Sequence, residues 1–135
     1  MADSDAREPI DTALLMQPPA QFVRHPAANY LASLPSEASR RVMSRHLRTI
    51  AALLVGVDPG HARRVDIFLL NWAGLRRAHT AAIRARLIER YRPATVNRML
   101  GALRGVLAEA RRLGEMSDAD FAGAGAVENV RRGGL

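Results

Sequence analysis

The 135-residue sequence contains no cysteine and no lysine, and aromatic residues make up only 4% of it. Without cysteine there are no disulfides, thiolate nucleophiles or Cys-type zinc sites. A reducing compartment fits that absence, and the expected location is the bacterial cytoplasm, in association with the nucleoid. No apolar run approaches the roughly 18 residues of a membrane span; the longest runs from Ile50 to Val55. The first residues, Met1 to Asp5, are acidic and lack an apolar h-region, which excludes a secretory signal. The four histidines, His25, His46, His61 and His79, are scattered without ligand spacing, so no metal site is expected. Neither a P-loop nor a GxGxxG motif occurs, and no nucleotide cradle or other cofactor is expected.

What is present is a chain that is 48% hydrophobic and 24% charged, a balance suited to one folded domain. About 80–100 residues are available for a single core. The net charge is +7, which points to a polyanionic partner. Its distribution is uneven. Residues 1–20 carry −3 and residues 21–35 carry +1. Residues 36–114 hold sixteen arginines against five acids, an excess of +11, and residues 115–135 carry −2. All twenty basic residues are arginine. Arginine offers bidentate contacts to phosphate and guanine that lysine does not. A GC-rich codon usage also explains the choice of arginine over lysine, but not the central position of the excess.

Along the chain, residues 1–20 read as a mobile acidic lead ending in Pro18-Pro19. Residues 21–35 hold Phe22, Tyr30, Leu31 and Leu34, bracketed by Pro26 and Pro35, and can pack as an arm on the domain. A helix is predicted over Glu37–Val55, with Ser36 as N-cap and Gly56 as stop. Met43, Leu47, Ile50 and Leu54 form its core stripe, and Arg41, Arg45 and Arg48 form a second stripe on another face. His46 flanks the apolar stripe as a packing residue. Asp58-Pro59-Gly60 marks a loop over 57–64. The apolar stretch from Asp66 to Trp72 has no strand to pair with, so it reads as a short helical or irregular segment, with Trp72 as a core anchor. Stacking of Trp72 on a base is the alternative role.

A second helix is predicted over about 78–91, with Ile83, Leu87 and Tyr91 inward. Pro93 opens a third, the clearest element. Its Val96, Leu100, Leu103, Leu107 and Ala110 follow a helical period, with Met99, Val106 and Leu113 beside them, and Gly114 closes it. The opposite face carries Thr95, Asn97, Arg98, Gly101, Arg104, Gly105, Ala108 and Arg112. Its two glycines either are tolerated or admit the close approach of a neighbour or a phosphate backbone. Ser117 caps a short fourth helix over 118–122, where Asp118 and Asp120 suit the helix dipole better than acid/base chemistry. Gly123, Gly125, Gly133 and Gly134 then loosen the chain into a linker. The fold class expected is all-α: a four-helix domain over 30–122, a flexible N-terminal arm over 1–29, and the start of an interdomain linker over 123–135.

Several stretches are familiar: Tyr30 to Leu34, Ser39-Arg40-Arg41, Trp72 to Arg76, and His79 to Arg84. The strongest are Glu89 to Leu100, Ala102 to Leu107, and Glu109 to Gly114. Together, over about residues 30–132, they resemble the N-terminal core-binding (SAM-like) domain of tyrosine-type site-specific recombinases, the phage and transposon integrases. Arg92 stands where a Ser, Thr or Asp cap would be ordinary, and residues 56–71 show little that matches.

The resemblance implies a helical domain that docks on one face of duplex DNA, with a separate catalytic domain on the other. In the full-length context it implies other recombinase protomers in a synaptic tetramer; alone, the domain is expected to be monomeric, with no membrane partner. The family's catalytic Arg, Lys, His-x-x-Arg and Tyr are not matched here, so the chain itself is not expected to be an enzyme but a severed or truncated part of one. The helix opened by Pro93 is expected at the groove through Thr95, Asn97, Arg98 and Arg104, with Asn97 suited to adenine and Arg98 to guanine or phosphate. Thr80, Arg84, Arg41, Arg45 and Arg48 are expected as positioning contacts. Two other readings remain open: a helix-turn-helix regulator with the Pro93 helix as reader, and a helical protein-interaction module.

Overall fold

Pro93 fixes the start of the longest helix, and the apolar residues that follow it dictate where everything else packs. The structure, a computed structural model, describes residues 25–131. Its elements are α1 (Pro26–Ala32), α2 (Glu37–Val55), a 3₁₀ segment (Pro59–Arg64), a 3₁₀ turn (Trp72–Gly74), α3 (Arg77–Arg90), α4 (Pro93–Arg112) and α5 (Asp118–Ala124). No strand occurs among the described residues, and the fold is all-α. None of its helices is long and apolar enough to cross a membrane. The acidic lead, the packing of Phe22 and the end of the chain from Arg132 lie outside the described residues.

Helix α2 has the bounds that its end signals dictate. The Ser36 side chain accepts from the Ser39 N–H at 3.0 Å, and Gly56 ends the helix with φ 81°. Helix α4 ends in a Schellman arrangement: Gly114 N donates to Arg111 O (3.0 Å) and Glu115 N to Ala110 O (2.9 Å), with Gly114 at φ 78°. Any residue with a Cβ, alanine included, is strained at such a φ, which is why glycine stands there. At the start of α3, His79 does what Glu does in a capping box: its Nδ1 accepts from Arg76 N at 2.9 Å.

Helix α1 departs from the expected arm. His25 caps it, with Nδ1 3.1 Å from Ala27 N, and Pro26 takes the first helical position. Ala27 is fully buried in the core, so the folded unit begins before residue 30. The Asp66–Trp72 stretch is irregular. Trp72 is 1% exposed, and its indole N–H donates to Ile67 O at 2.7 Å. It is the core anchor and presents no face for a base. Phe68 and Leu69, by contrast, point outward and are 46% and 84% exposed.

Helix α4 is the centre of the molecule. It packs against α1, α2, α3, α5 and the 3₁₀ turn. Val96, Leu100, Leu103, Val106, Leu107 and Ala110 are all 0% exposed. Each large apolar side chain so buried contributes about 1.5–3 kcal/mol. The two glycines of α4 differ. At Gly105 the Tyr30 ring of α1 lies against the helix backbone, and an added Cβ would sit 2.6 Å from Tyr30 Cδ1 and nearer still to Cε1. At Gly101 a Cβ would meet nothing within 4 Å.

Two substitutions should therefore have opposite signs. Gly101→Ala should stabilise the protein by about 0.5–1 kcal/mol, through helix propensity alone. Gly105→Ala should cost about 1–3 kcal/mol by overpacking. Adding Tyr30→Ala to Gly105→Ala should cost less than the sum of the two single changes. Urea unfolding of the four variants checks all three expectations.

Candidate nucleic-acid interface

Nine residues are expected at DNA, and the structure divides them into two groups. Thr80, Arg84, Asn97 and Arg104 lie beneath the segment that follows α5. Thr80 is 1% exposed; its Oγ1 donates to Ala124 O at 2.8 Å, with Arg77 O at 3.2 Å. Arg84 Nε donates to Glu128 O at 2.6 Å and its Nη2 to Asn129 O at 3.3 Å. Arg104 Nη1 donates to Val127 O (2.9 Å) and Nη2 to Asn129 Oδ1 (2.7 Å). Asn97 matches the Val130 peptide on both edges: Nδ2 donates to Val130 O at 3.0 Å, and Val130 N donates to Asn97 Oδ1 at 2.6 Å.

This arrangement corrects two expectations. Residues 123–131 are not a loose linker: Gly123 lies within α5, and residues 126–130 form a strap bound across α3 and α4. The strap lies outside any helix or sheet, so its carbonyls and amides need side chains to satisfy them. Arg84, Asn97 and Arg104 supply them, and Val127 and Val130 pack toward the core. The part of the polar face of α4 that carries Asn97 and Arg104 is consequently an internal surface. Neither Asn97 nor Thr80 is open to a DNA groove in this conformation, and α4 presents no long free face as a reading helix.

The strap is further held through α5. Arg76 pairs with Asp120 at 3.2 Å, and Arg111 pairs with Asp118 at 3.7 Å while its guanidinium lies 4.7 Å from the Phe121 ring centroid.

The second group, Arg41, Arg45, Arg48, Thr95 and Arg98, stays at the surface of α2 and the first turns of α4. Arg41 reaches Glu37 at 3.8 Å, a pair exposed on both sides that contributes little. Arg48 Nη1 donates to Ser44 Oγ at 2.9 Å. Arg45 and Arg98 are exposed and have no carboxylate partner among the described residues. They come from different helices, yet their charges converge on His46. Burial lowers the pKa of His46 below the ordinary 6.5, and the positive charges of Arg45 and Arg98 lower it further. Its Nε2 is buried without a hydrogen-bond partner among the described residues. His46 therefore packs as a neutral imidazole and registers a positive field at this surface. Helix α4 also begins without a side-chain cap, so its first-turn N–H groups add to that field.

No cluster of three or more potential metal ligands occurs among the described residues. Sequence reasoning missed one basic cleft, formed by Arg48, Arg63, Arg64 and the loop after them. The signal was the Arg63-Arg64 pair, in a segment read only as a turn. No family model, curated protein or solved structure matches this chain.

Asn97→Ala should cost about 1–3 kcal/mol, because it leaves both polar groups of the Val130 peptide without their partner. Amide hydrogen exchange at Val130 should accelerate more than exchange in α2. His46 gives a pH dependence of definite sign. The unfolded chain takes up this proton near pH 6.5, whereas the folded protein resists it to lower pH. The unfolded state thus binds more protons, and stability should fall as pH drops from 6.5 toward the lowered folded value. His46→Phe should flatten that slope in urea titrations across the window.

Proposed function

We propose that this chain binds duplex DNA as the core-binding domain of a tyrosine-type site-specific recombinase, positioning the enzyme on its recombination site. The observation that carries the DNA-binding reading is the convergence of Arg45 and Arg98 from two helices around His46, with no carboxylate to neutralise them among the described residues. Exposed guanidinium groups without an ion-pair partner remain available to an anion, and phosphates on a duplex provide a regular array of them. The central excess of +11 over residues 36–114 supplies the longer-range attraction. The recombinase part of the reading is supported by the resemblance in the α3–α4 region, and the all-α architecture is compatible with it.

In this reading the contact surface comprises Arg41, Arg45, Arg48, Thr95 and Arg98. Thr80 acts indirectly by holding the end of α5, and Arg84, Asn97 and Arg104 by holding the strap, and so the shape of the domain. The chain serves as a monomeric binding module, and strand cleavage and tetrameric synapsis belong to a catalytic domain that carries the nucleophile. The compartment that goes with this role is the nucleoid-bearing cytoplasm.

Fluorescence anisotropy with a labelled duplex and a salt titration tests the reading. Contact with about 4–6 phosphates should give a log–log salt slope near −4 to −5. Arg45→Ala/Arg98→Ala should make that slope shallower by about 2 and leave the unfolding midpoint close to wild type. Arg84→Ala/Arg104→Ala should lower the midpoint. Bound duplex should also raise the His46 pKa, because a phosphate beside it opposes the two arginines; imidazole NMR titration reads this directly. Absence of binding at low salt would remove the proposal.

A further inference from the structure

The cleft between α2 and the loop after the 3₁₀ segment has a volume of about 290 Å³ and is lined by Ser44, Arg48, Arg63, Arg64 and the loop residues Val65 to Phe68. Three arginines line it against one acidic residue, Asp66. Arg63 and Arg64 are exposed and have no carboxylate within ion-pair distance among the described residues. Arg48 is oriented by its bond to Ser44 Oγ, 2.9 Å, which occupies one of its five N–H donors. The Asp66 carboxylate is engaged in shaping the loop: Oδ1 accepts from Phe68 N at 2.9 Å.

The loop wall is built rather than loose. Phe68 O lies 2.7 Å from His25 Nε2, and the His25 and Phe68 rings meet edge to face at 5.2 Å. Ile67 O accepts from the Trp72 indole at 2.7 Å. Contacts from α1, the loop itself and the core anchor thus hold the backbone that carries the cleft, so little ordering is needed when a ligand enters. Phe68, the last of the lining residues, is 46% exposed.

We propose that this cleft is a phosphate-binding site, formed by Arg48, Arg63 and Arg64, that takes a phosphodiester of the DNA backbone beside the Arg45/Arg98 surface. An excess of guanidinium over carboxylate in a preformed cleft selects an oxyanion, and arginine forks fit phosphate oxygens in pairs. The exposed Phe68 in the lining suits the sugar face next to that phosphate. Arg48 is shared with the surface assigned above, so one strand of a duplex can run from one site to the other. The assignment of the phosphate to DNA rests on the duplex-binding reading; the anion site itself does not.

Arginine Nε–Hε NMR signals of the full chain, titrated first with inorganic phosphate and then with a short duplex, test it. Phosphate should shift the signals of Arg48, Arg63 and Arg64 saturably, and Arg63→Ala/Arg64→Ala should abolish the Arg48 shift while leaving the circular dichroism spectrum unchanged. The same variant should weaken duplex binding by about tenfold, with a salt slope shallower by about 2. Unsaturable shifts spread over all exposed arginines would overturn the anion site. Saturable phosphate shifts with wild-type duplex affinity would overturn the assignment to DNA and leave a free-phosphate site. If no duplex binds the wild-type protein, the functional reading falls, and the phosphate titration alone decides the cleft.

Discussion

Helix α4 is covered along most of its length, and the rest of the molecule is arranged by that burial. Its apolar stripe takes α2 and α3, Gly105 takes the Tyr30 ring, and Asn97 and Arg104 take the strap. A polar side chain on a buried helix must find a partner inside, or its desolvation is uncompensated. The partner here is the main chain of residues 126–130, which has the complementary need. Two sets of polar groups that would each be costly alone satisfy each other, and the domain boundary moves outward to include both.

The reach of sequence reasoning follows from how local each signal is. The bounds of α2 are legible because Ser36 and Gly56 act within one turn of the helix ends. Pro93 and Gly114 mark α4 for the same reason, and α5 runs two residues beyond its expected end at Ala122. Helix α1 is not legible: it has seven residues, its cap is a histidine, and Pro26 resembles a bracket as much as a helix start. The two faces of α4 carry the larger lesson. A polar helical face looks the same in sequence whether it meets water, DNA or a peptide backbone. What decides is the strap, which lies 23 to 45 residues away along the chain from its partners in α3 and α4. Within the site, Arg45 and Arg98 were legible as charges, whereas their convergence on His46 depends on the packing of α2 against α4.

The arginine excess is likewise sorted by the fold rather than by composition. Arg76 and Arg111 hold α5, Arg84 and Arg104 hold the strap, and Arg40 reaches the Leu34 carbonyl at the turn before α2. These cations act as donors to backbone and carboxylate within the domain, and guanidinium is well suited to that because it keeps several donors in a rigid fork. The arginines that remain outward, among them Arg45, Arg63, Arg64 and Arg98, are the ones whose charge is available to a partner. Net charge therefore overstates the outward positive charge, and the protein's external field is set by the smaller outward set.

The Tyr30 ring and the missing side chain at Gly105 also have an evolutionary consequence. Neither position is free to change alone: a methyl group at 105 collides with the ring, and a small residue at 30 leaves a void over the glycine. Across related sequences the two positions should covary, with bulk at one matched by its absence at the other. That pairing would tie the seven residues of α1 to the central helix as a single inherited unit.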